Sequence, residues 1–246
     1  MSFQVTKALK ARKALKVISG LNNFDQTKVS MIVQAAEAGG ATYVDIAAKE
    51  DLVRSIRQLT SLPICVSAVE ANLLAIAVAA GADLVEIGNF DCFYEQGIIF
   101  TAEQVLSLTK ETRALLPQTT LSVTVPHFLA LDEQVILAQA LVENGADIIQ
   151  TEGGTSSLPT HAGVLGLIEK AAPTLAAAHA ISRAVSVPVL CASGLSQVTA
   201  PMAIASGASG VGVGSAINRL NDPIAMIAAV RGLVESLEYS QISQYA

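Results

Sequence analysis

The chain has 246 residues, of which 52% are hydrophobic, and it carries a formal net charge of −6. An acidic chain offers no basic face for nucleic acid, and its most apolar run, at 73–80, is far shorter than the ~20 residues of a membrane-spanning helix. Three cysteines without C-x-x-C spacing indicate reduced thiols in a cytosol-like compartment. Composition therefore favours a buried sheet surrounded by helices, with no nucleic-acid or membrane partner.

Strand and helix patterns alternate along the chain. A basic helix over residues 1–14 lacks the apolar segment of a signal peptide. Later elements are separated by turn and cap residues, for example Gly39-Gly40 after a helix and Thr101 with Gln104 before one. The predicted strands cover residues 15–21, 42–47, 62–69, 82–88, 119–126, 146–153, 188–194 and a glycine-rich stretch within 207–217.

Eight strands, each followed by a helix, predict a parallel sheet, and this chain length favours its closure into a (β/α)₈ TIM barrel. A doubly wound open sheet is the alternative. The barrel is expected over residues 15–240 of a single α/β domain spanning 1–246, after the short N-terminal helix. A long Gly/Ser/Pro loop after strand six is predicted to reach about residue 172, where the helix over 174–185 follows, and its length suits a lid.

The ends of strands seven and eight predict a phosphate site. Ser193, Gly194 and Leu195 form a small open turn after strand seven, and Gly214 and Ser215 open a short helix after strand eight. Backbone N–H groups in such turns can bind an anion without lysine or arginine. The pairing of these two loops at one face is typical of phosphate-binding barrels, whereas glycines that merely permit tight turns are the alternative.

Three carboxylates are predicted to point into the barrel from alternate strand positions. They are Asp45, Glu86 and Glu152. Buried carboxylates must be paired, protonated or solvated, and neighbouring ones raise each other's pKa, so they are candidate acid/base catalysts. A structural hydrogen-bond network is the alternative. The other residues expected to face inward are Gln150, Gly212 and Gly214, with Ser19, Ser67, Thr124 and Ala192 from the odd strands.

His127 follows strand five on the same face, where it could move protons or donate to a substrate oxygen. No lysine is expected at an inward position near the top of the barrel, since Lys49 lies just past strand two and Lys170 lies in the long loop. A Schiff-base mechanism is therefore weakly supported. Asp45, Glu86, Glu152 and His127 could together bind a metal, but no ligand spacing demands one, and none is assigned.

The loops after strands seven and eight resemble the phosphate motif shared by ribulose-phosphate-binding, thiazole-synthase-like, pyridoxal-phosphate-synthase-like and some flavin-mononucleotide barrels. A closer resemblance covers nearly the whole chain. The segments KALKVISGLNNFD, AAEAGGATYVDIAA and ADIIQTEGGTSS resemble the plastid and cyanobacterial "hypothetical chloroplast reading frame twenty-three" family. That resemblance implies the barrel fold and a cyanobacterial cytosol or plastid stroma. It implies no substrate and no catalytic residues.

These observations lead to three functional hypotheses. The first is an isomerase- or lyase-like enzyme acting on a phosphorylated small metabolite, with Asp45 and Glu152 as acid/base groups and Glu86 in support. The second is an oxidoreductase that binds flavin mononucleotide (FMN) at the phosphate site. The third is a non-catalytic sensor or partner-binding barrel. Self-association of the apolar helix ring is left open, because sequence locates no surface patch.

Overall fold

The structure is a computed structural model that describes residues 2–94, 96–153 and 157–242. Eight strands alternate with helices through this part of the chain. The strands are β1 (Ala14–Ile18), β2 (Tyr43–Ala47), β3 (Ile64–Ala68), β4 (Leu84–Ile87), β5 (Thr120–Thr124), β6 (Ile148–Gln150), β7 (Val189–Ala192) and β8 (Gly210–Val213). The helices are α1 (Phe3–Lys10), α2 (Gln26–Gly39), α3 (Glu50–Arg57), α4 (Ala71–Ala79), α5 (Asp91–Tyr94), α6 (Ala102–Leu115), α7 (Leu131–Glu143), α8 (Gly163–Ser182), α9 (Ala200–Ala205), α10 (Ser215–Asn218) and α11 (Pro223–Ile242).

The sheet is a closed parallel barrel. Its strands follow one another in chain order, and β1 pairs with β8 to complete the ring. Lys16 on β1 lies opposite Tyr43 on one side and Gly212 on the other. The predicted TIM barrel is therefore confirmed and the open sheet is excluded. Closure places the carboxyl ends of all eight strands at one face, where the loops that carry barrel active sites meet.

Helix α1 covers the opposite end of the barrel. The Ser2 side chain caps this helix by accepting a hydrogen bond from the Val5 amide, and Val5 and Leu9 are buried. They pack on a separate apolar cluster at the barrel floor, formed by Ala14, Tyr43, Cys65, Leu84, Ile148 and Leu190. The larger apolar core lies between the sheet and the helix ring. The interior is thus sealed with apolar side chains at its amino-terminal end.

Helix α8 corrects the expectation of a loop reaching residue 172, because the helix begins at Gly163. Glycines and Pro173 suggested an irregular segment, but tertiary contacts override them. The Thr174 hydroxyl donates to the Ala192 carbonyl at 2.5 Å, which fixes the helix to the end of β7. By length and composition alone α8 could also cross a membrane, but here it packs on α7 and β7 as part of the helix ring.

Strand β1 is shorter than predicted and ends at Ile18. The inward positions of β1 are Lys16 and Ile18, because the Lys16 ammonium bonds inside the barrel and Ile18 lines the cavity above it. Ser19 lies beyond the strand, so the expectation that it is the inward residue of β1 was wrong. A one-residue error in parity exchanges the two faces of a strand.

Candidate functional site

The centre of the barrel holds a buried network around Lys16. Its ammonium lies 2.7 Å from Glu86 Oε2 and 3.3 Å from Asp45 Oδ2, and it donates to Gln150 Oε1 at 3.1 Å. All of these side chains are essentially inaccessible to solvent. Asp45, Glu86 and Gln150 therefore point inward, as the sequence predicted. The sequence did not predict that Lys16 also points inward and supplies the positive charge.

Other polar side chains complete the bonding of these carboxylates. Ser122 donates to Glu86 Oε2 at 2.7 Å, and the Gln150 amide donates to Glu86 Oε1 at 2.7 Å. Asp45 accepts hydrogen bonds from Ser67 at 2.7 Å and from Asn89 at 3.0 Å. Each carboxylate thus has a cation and neutral donors, as a buried ion needs if it is not to destabilise the fold.

Electrostatics keep Lys16 protonated. Burial alone would lower its pKa, but attraction by Asp45 and Glu86 outweighs this and holds the pKa of Lys16 well above its usual value. Burial also raises the pKa of Glu86, and the Lys16 ammonium opposes that rise. A protonated amine is not a nucleophile, so the inward position of Lys16 adds no support for a Schiff-base mechanism.

A cavity of about 600 Å³ opens above this network at the carboxyl ends of the strands. Gln150 and Asn89 belong to both the network and the cavity wall, whereas Asp45 and Glu86 are not among the residues that line it. Asn89 adopts φ +60, a left-handed conformation unusual for a residue other than glycine. The amide side chains of Asn89 and Gln150 therefore lie between the cavity and the carboxylates of Asp45 and Glu86.

Glu152 lies in the cavity wall and forms a second polar cluster with His127. Its Oε1 atom accepts a hydrogen bond from the Tyr94 hydroxyl and from the His127 backbone amide, and it lies 3.2 Å from His127 Nδ1. Burial raises the pKa of Glu152; the hydrogen bond from His127 opposes the rise, and the nearby Asp91 charge adds to it. Glu152 is thus a carboxyl group whose proton affinity exceeds the usual value.

Asp91 joins this cluster from α5. Its Oδ2 atom accepts a hydrogen bond from Ser193 at 2.8 Å, and its Oδ1 atom lies 3.9 Å from His127 Nδ1. Asp91, His127 and Glu152 each offer one donor atom within 4.8 Å of the others, so this group could hold a metal ion. Asp91 also connects the loop after β7 to the Glu152 cluster.

The predicted phosphate residues all line the cavity. They are Ser193, Gly194, Leu195, Gly214 and Ser215. Ser193 and Gly194 both have φ +72, so two consecutive left-handed residues form the turn after β7. Successive backbone N–H groups in turns of this kind form concave anion sites. The structure thus brings both loops to one cavity, as the sequence predicted.

Two cationic side chains and two glycines also shape this wall. Arg219 and Lys170 line the cavity and offer charge for an anion. A side chain at Gly212 would meet Ala192 at 2.9 Å and Ile18 at 3.1 Å, and one at Gly214 would meet the Ile18 carbonyl at 3.2 Å. These glycines therefore permit close packing of β8 against its neighbours.

Sequence patterns did not identify four polar residues of the site: Lys16, Asn89, Asp91 and Tyr94. Leu15, Lys16 and Val17 alternate, but the apolar Ile18 that follows breaks the pattern, so the sequence left the inner face of β1 undecided. The other three follow β4 in a segment without periodicity, so nothing in the sequence fixes where their side chains point. Outside the site, His161 pairs with Glu169 at 2.6 Å in an exposed ion pair.

The chain matches the family model described as "Protein of unknown function (DUF561)" over residues 1–243. It belongs to that family. This DUF561 protein is 41% identical to "Uncharacterized protein ycf23" of Pyropia yezoensis over 230 residues, which cover 94% of this chain and 84% of the relative. It is 42% identical to the ycf23 protein of Cyanophora paradoxa over 243 residues, which cover 98% of this chain and 100% of the relative. The resemblance noted from the sequence is therefore confirmed.

Solved structures share the fold of the DUF561 protein at low sequence identity. (S)-3-O-geranylgeranylglyceryl phosphate synthase from Thermoplasma acidophilum, in complex with its substrate sn-glycerol-1-phosphate, superposes with a TM-score of 0.64 at 13% identity, covering 96% of this chain and 98% of that one. Thiamine phosphate pyrophosphorylase from Pyrococcus furiosus gives 0.62 at 20% identity, covering 94% and 98%. These likenesses establish the barrel fold alone.

Proposed function

We propose that this protein binds a phosphorylated small metabolite in the cavity at the carboxyl ends of the strands. One observation carries the proposal: the same cavity wall contains both predicted phosphate loops and the buried carboxyl group of Glu152. Amides near Gly194 and Ser215 would hold the phosphate, with Arg219 adding positive charge. The geranylgeranylglyceryl phosphate synthase, whose substrate is a small phosphate ester, gives the same barrel a comparable use.

We further propose acid–base catalysis of the isomerase or lyase type, with Glu152 as the proton-exchanging group. Its Oε1 atom is fixed by Tyr94 and His127, so its orientation is set before substrate arrives. Glu152 would take a proton from a carbon next to a carbonyl, and the electron pair would move to the carbonyl oxygen. Where the deprotonated carbon carries a hydroxyl, transfer of the hydroxyl proton to the former carbonyl oxygen and return of the carbon proton to the former carbonyl carbon give an isomer. Departure of a leaving group from the carbon beyond gives a lyase product and regenerates the carbonyl. Asp45 and Glu86 would support the site from below.

The same proposal extends to the compartment. Cys65 and Cys191 are buried free thiols. Unpaired thiols suit a reducing environment. We therefore place the protein in a cytosol or in the plastid stroma that the family resemblance implies.

The experiment separates binding from chemistry with two variants. Ser215→Asp puts a negative charge beside the proposed phosphate, so it should weaken binding of inorganic phosphate and dihydroxyacetone phosphate at least ~10-fold, the equivalent of one lost charge-assisted hydrogen bond. Glu152→Gln should keep that binding but lose exchange of substrate carbon-bound hydrogen with D₂O, followed by proton NMR over a set of keto phosphate esters.

Matched controls are available on exposed faces of α6. Ser107→Asp and Glu111→Gln make the same chemical changes away from the cavity and should alter neither measurement. Equal binding by Ser215→Asp and the native protein would contradict the phosphate site. Undiminished hydrogen exchange in Glu152→Gln would contradict its catalytic role and leave the binding site standing.

A further inference from the structure

Asp91, His127 and Glu152 reach one point from three different segments of the chain, namely α5 and the ends of β5 and β6. His127 Nδ1 lies 3.2 Å from Glu152 Oε1 and 3.9 Å from Asp91 Oδ1, and one donor atom from each residue falls within 4.8 Å of the others. Two ligands at 2.0–2.2 Å from one ion are separated by about 4.4 Å or less. The His127–Asp91 separation fits a common ion. The shorter contact to Glu152 is a hydrogen-bond distance to Oε1, so Glu152 would bind an ion through its other oxygen, Oε2.

Each of these three side chains also has an unsatisfied atom. Within the part of the chain that the structure describes, Asp91 Oδ1, His127 Nε2 and Glu152 Oε2 are buried and lack a hydrogen-bond partner. The Glu152 and His127 side chains are only 3% and 6% exposed. Buried polar atoms almost always have partners, so the free oxygens of Asp91 and Glu152 point to a group that binds between them. His127 would face that group with Nδ1, and its Nε2 lies on the far side of the ring.

The charge of the cluster indicates what that group is. Neither Asp91 nor Glu152 forms a described ion pair with a lysine or arginine, and His127 is their only ion-pair partner among the described residues. Two nearby carboxylates without a fixed cation favour an added positive charge. A small cation would supply that charge.

The surroundings hold both carboxylates in the form that a metal site needs. Ser193 donates to Asp91 Oδ2 at 2.8 Å, and Tyr94 donates to Glu152 Oε1. In each carboxylate one oxygen is thus anchored by a neutral hydroxyl, while the other is left without a partner. Outer hydrogen bonds of this kind orient the ligands of metal ions in proteins.

We propose that Asp91, His127 and Glu152 bind a divalent transition-metal cation of the Zn²⁺, Mn²⁺ or Co²⁺ class. An imidazole among the ligands favours these ions over Mg²⁺ and Ca²⁺, which prefer oxygen alone. Binding itself is independent of the proposed function. The role of the ion rests on that function: it would stabilise negative charge on the substrate's carbonyl oxygen.

The test uses Co²⁺ as the probe, on protein purified without a polyhistidine tag and stripped with a chelator, in phosphate-free buffer. We expect one equivalent to bind by calorimetry, with visible absorption bands that report nitrogen and oxygen ligands. Asp91→Asn, His127→Gln and Glu152→Gln should each weaken binding at least ~10-fold, as loss of even an outer partner does. Glu169→Gln is the matched control, because it alters a part-buried carboxylate that pairs with His161 outside the cluster.

Two further variants cover the case in which a ligand variant fails to fold, as checked by circular dichroism. Tyr94→Phe and Ser193→Ala keep all three ligands and should still weaken Co²⁺ binding several-fold. The proposal is overturned if the native protein takes up no Co²⁺, or if Glu169→Gln weakens binding as much as the three ligand variants do. Because no phosphate ester is present, this failure is distinguishable from failure of the proposed phosphate site.

Discussion

Lys16 is a single residue whose charge compensates the carboxylates buried inside the barrel. Its ammonium lies between two fully buried carboxylates, so its removal would leave both uncompensated. We expect Lys16→Met to lower the free energy of unfolding by ~3–5 kcal/mol, the range for breaking a buried ion pair. Urea denaturation with a tryptophan-free signal such as far-ultraviolet circular dichroism measures this directly, since the chain has no tryptophan.

A lysine on the protein surface provides the control for this substitution. Lys28 is two-thirds exposed and lies 3.8 Å from Asp25, so Lys28→Met should change stability by less than about 1 kcal/mol. Adding Glu86→Gln to Lys16→Met should recover part of the loss, because it removes one unpaired charge. If Lys16→Met were as stable as the wild-type protein, the Lys16 ammonium would not be needed to compensate the buried carboxylates.

At the scale of elements, the parts predictable from sequence are those with strict periodicity. Alternation in β2, β4 and β6 placed Asp45, Glu86 and Gln150 inside the barrel, because period-two patterns fix a face. The inward-facing residues of strand β1 could not be assigned with the same certainty. Its end at Ile18 is set by pairing with β2 and β8 and not by a turn residue. The segment after β4 has no period at all, so Asp91 and Tyr94 could be located only in three dimensions.

Helix α8 begins earlier than the local pattern indicates, and its second half is held to the barrel by contacts distant in sequence. Thr174 carries the most specific of these, with hydrogen bonds to the Ala192 carbonyl at 2.5 Å and to the Thr151 hydroxyl at 2.6 Å. Thr174→Val keeps the shape and removes the hydroxyl. We expect a loss of ~1–3 kcal/mol in chemical denaturation, because the buried partners are left unsatisfied.

Thr112 provides the matched control for this substitution. Its hydroxyl is also buried, but it has no hydrogen-bond partner among the described residues. Thr112→Val should therefore be neutral or stabilising, since it removes an unpaired polar atom. If the two valine variants were equally unstable, the loss would reflect packing and not the bonds that tie α8 to β6 and β7.

At the scale of the whole molecule, the two ends of the barrel differ. The amino-terminal end is closed by apolar side chains, and the carboxyl-terminal end carries the open cavity. A ligand bound only by the folded state stabilises every element at once. At 100 times its dissociation constant, inorganic phosphate should add ~2.7 kcal/mol to the free energy of unfolding. For a domain of this size that corresponds to a rise in Tm of roughly 5–10 °C, at about 2–4 °C per kcal/mol.

Differential scanning fluorimetry across a phosphate titration, with chloride at matched ionic strength as the reference, measures this rise. Ser215→Asp should lose most of it, because the added carboxylate repels the anion at the proposed site, whereas Ser107→Asp should keep it. An equal rise in both variants would mean that phosphate acts generally on the protein surface. A rise confined to the native protein and Ser107→Asp would tie the stability of the whole barrel to occupancy of the loops after β7 and β8.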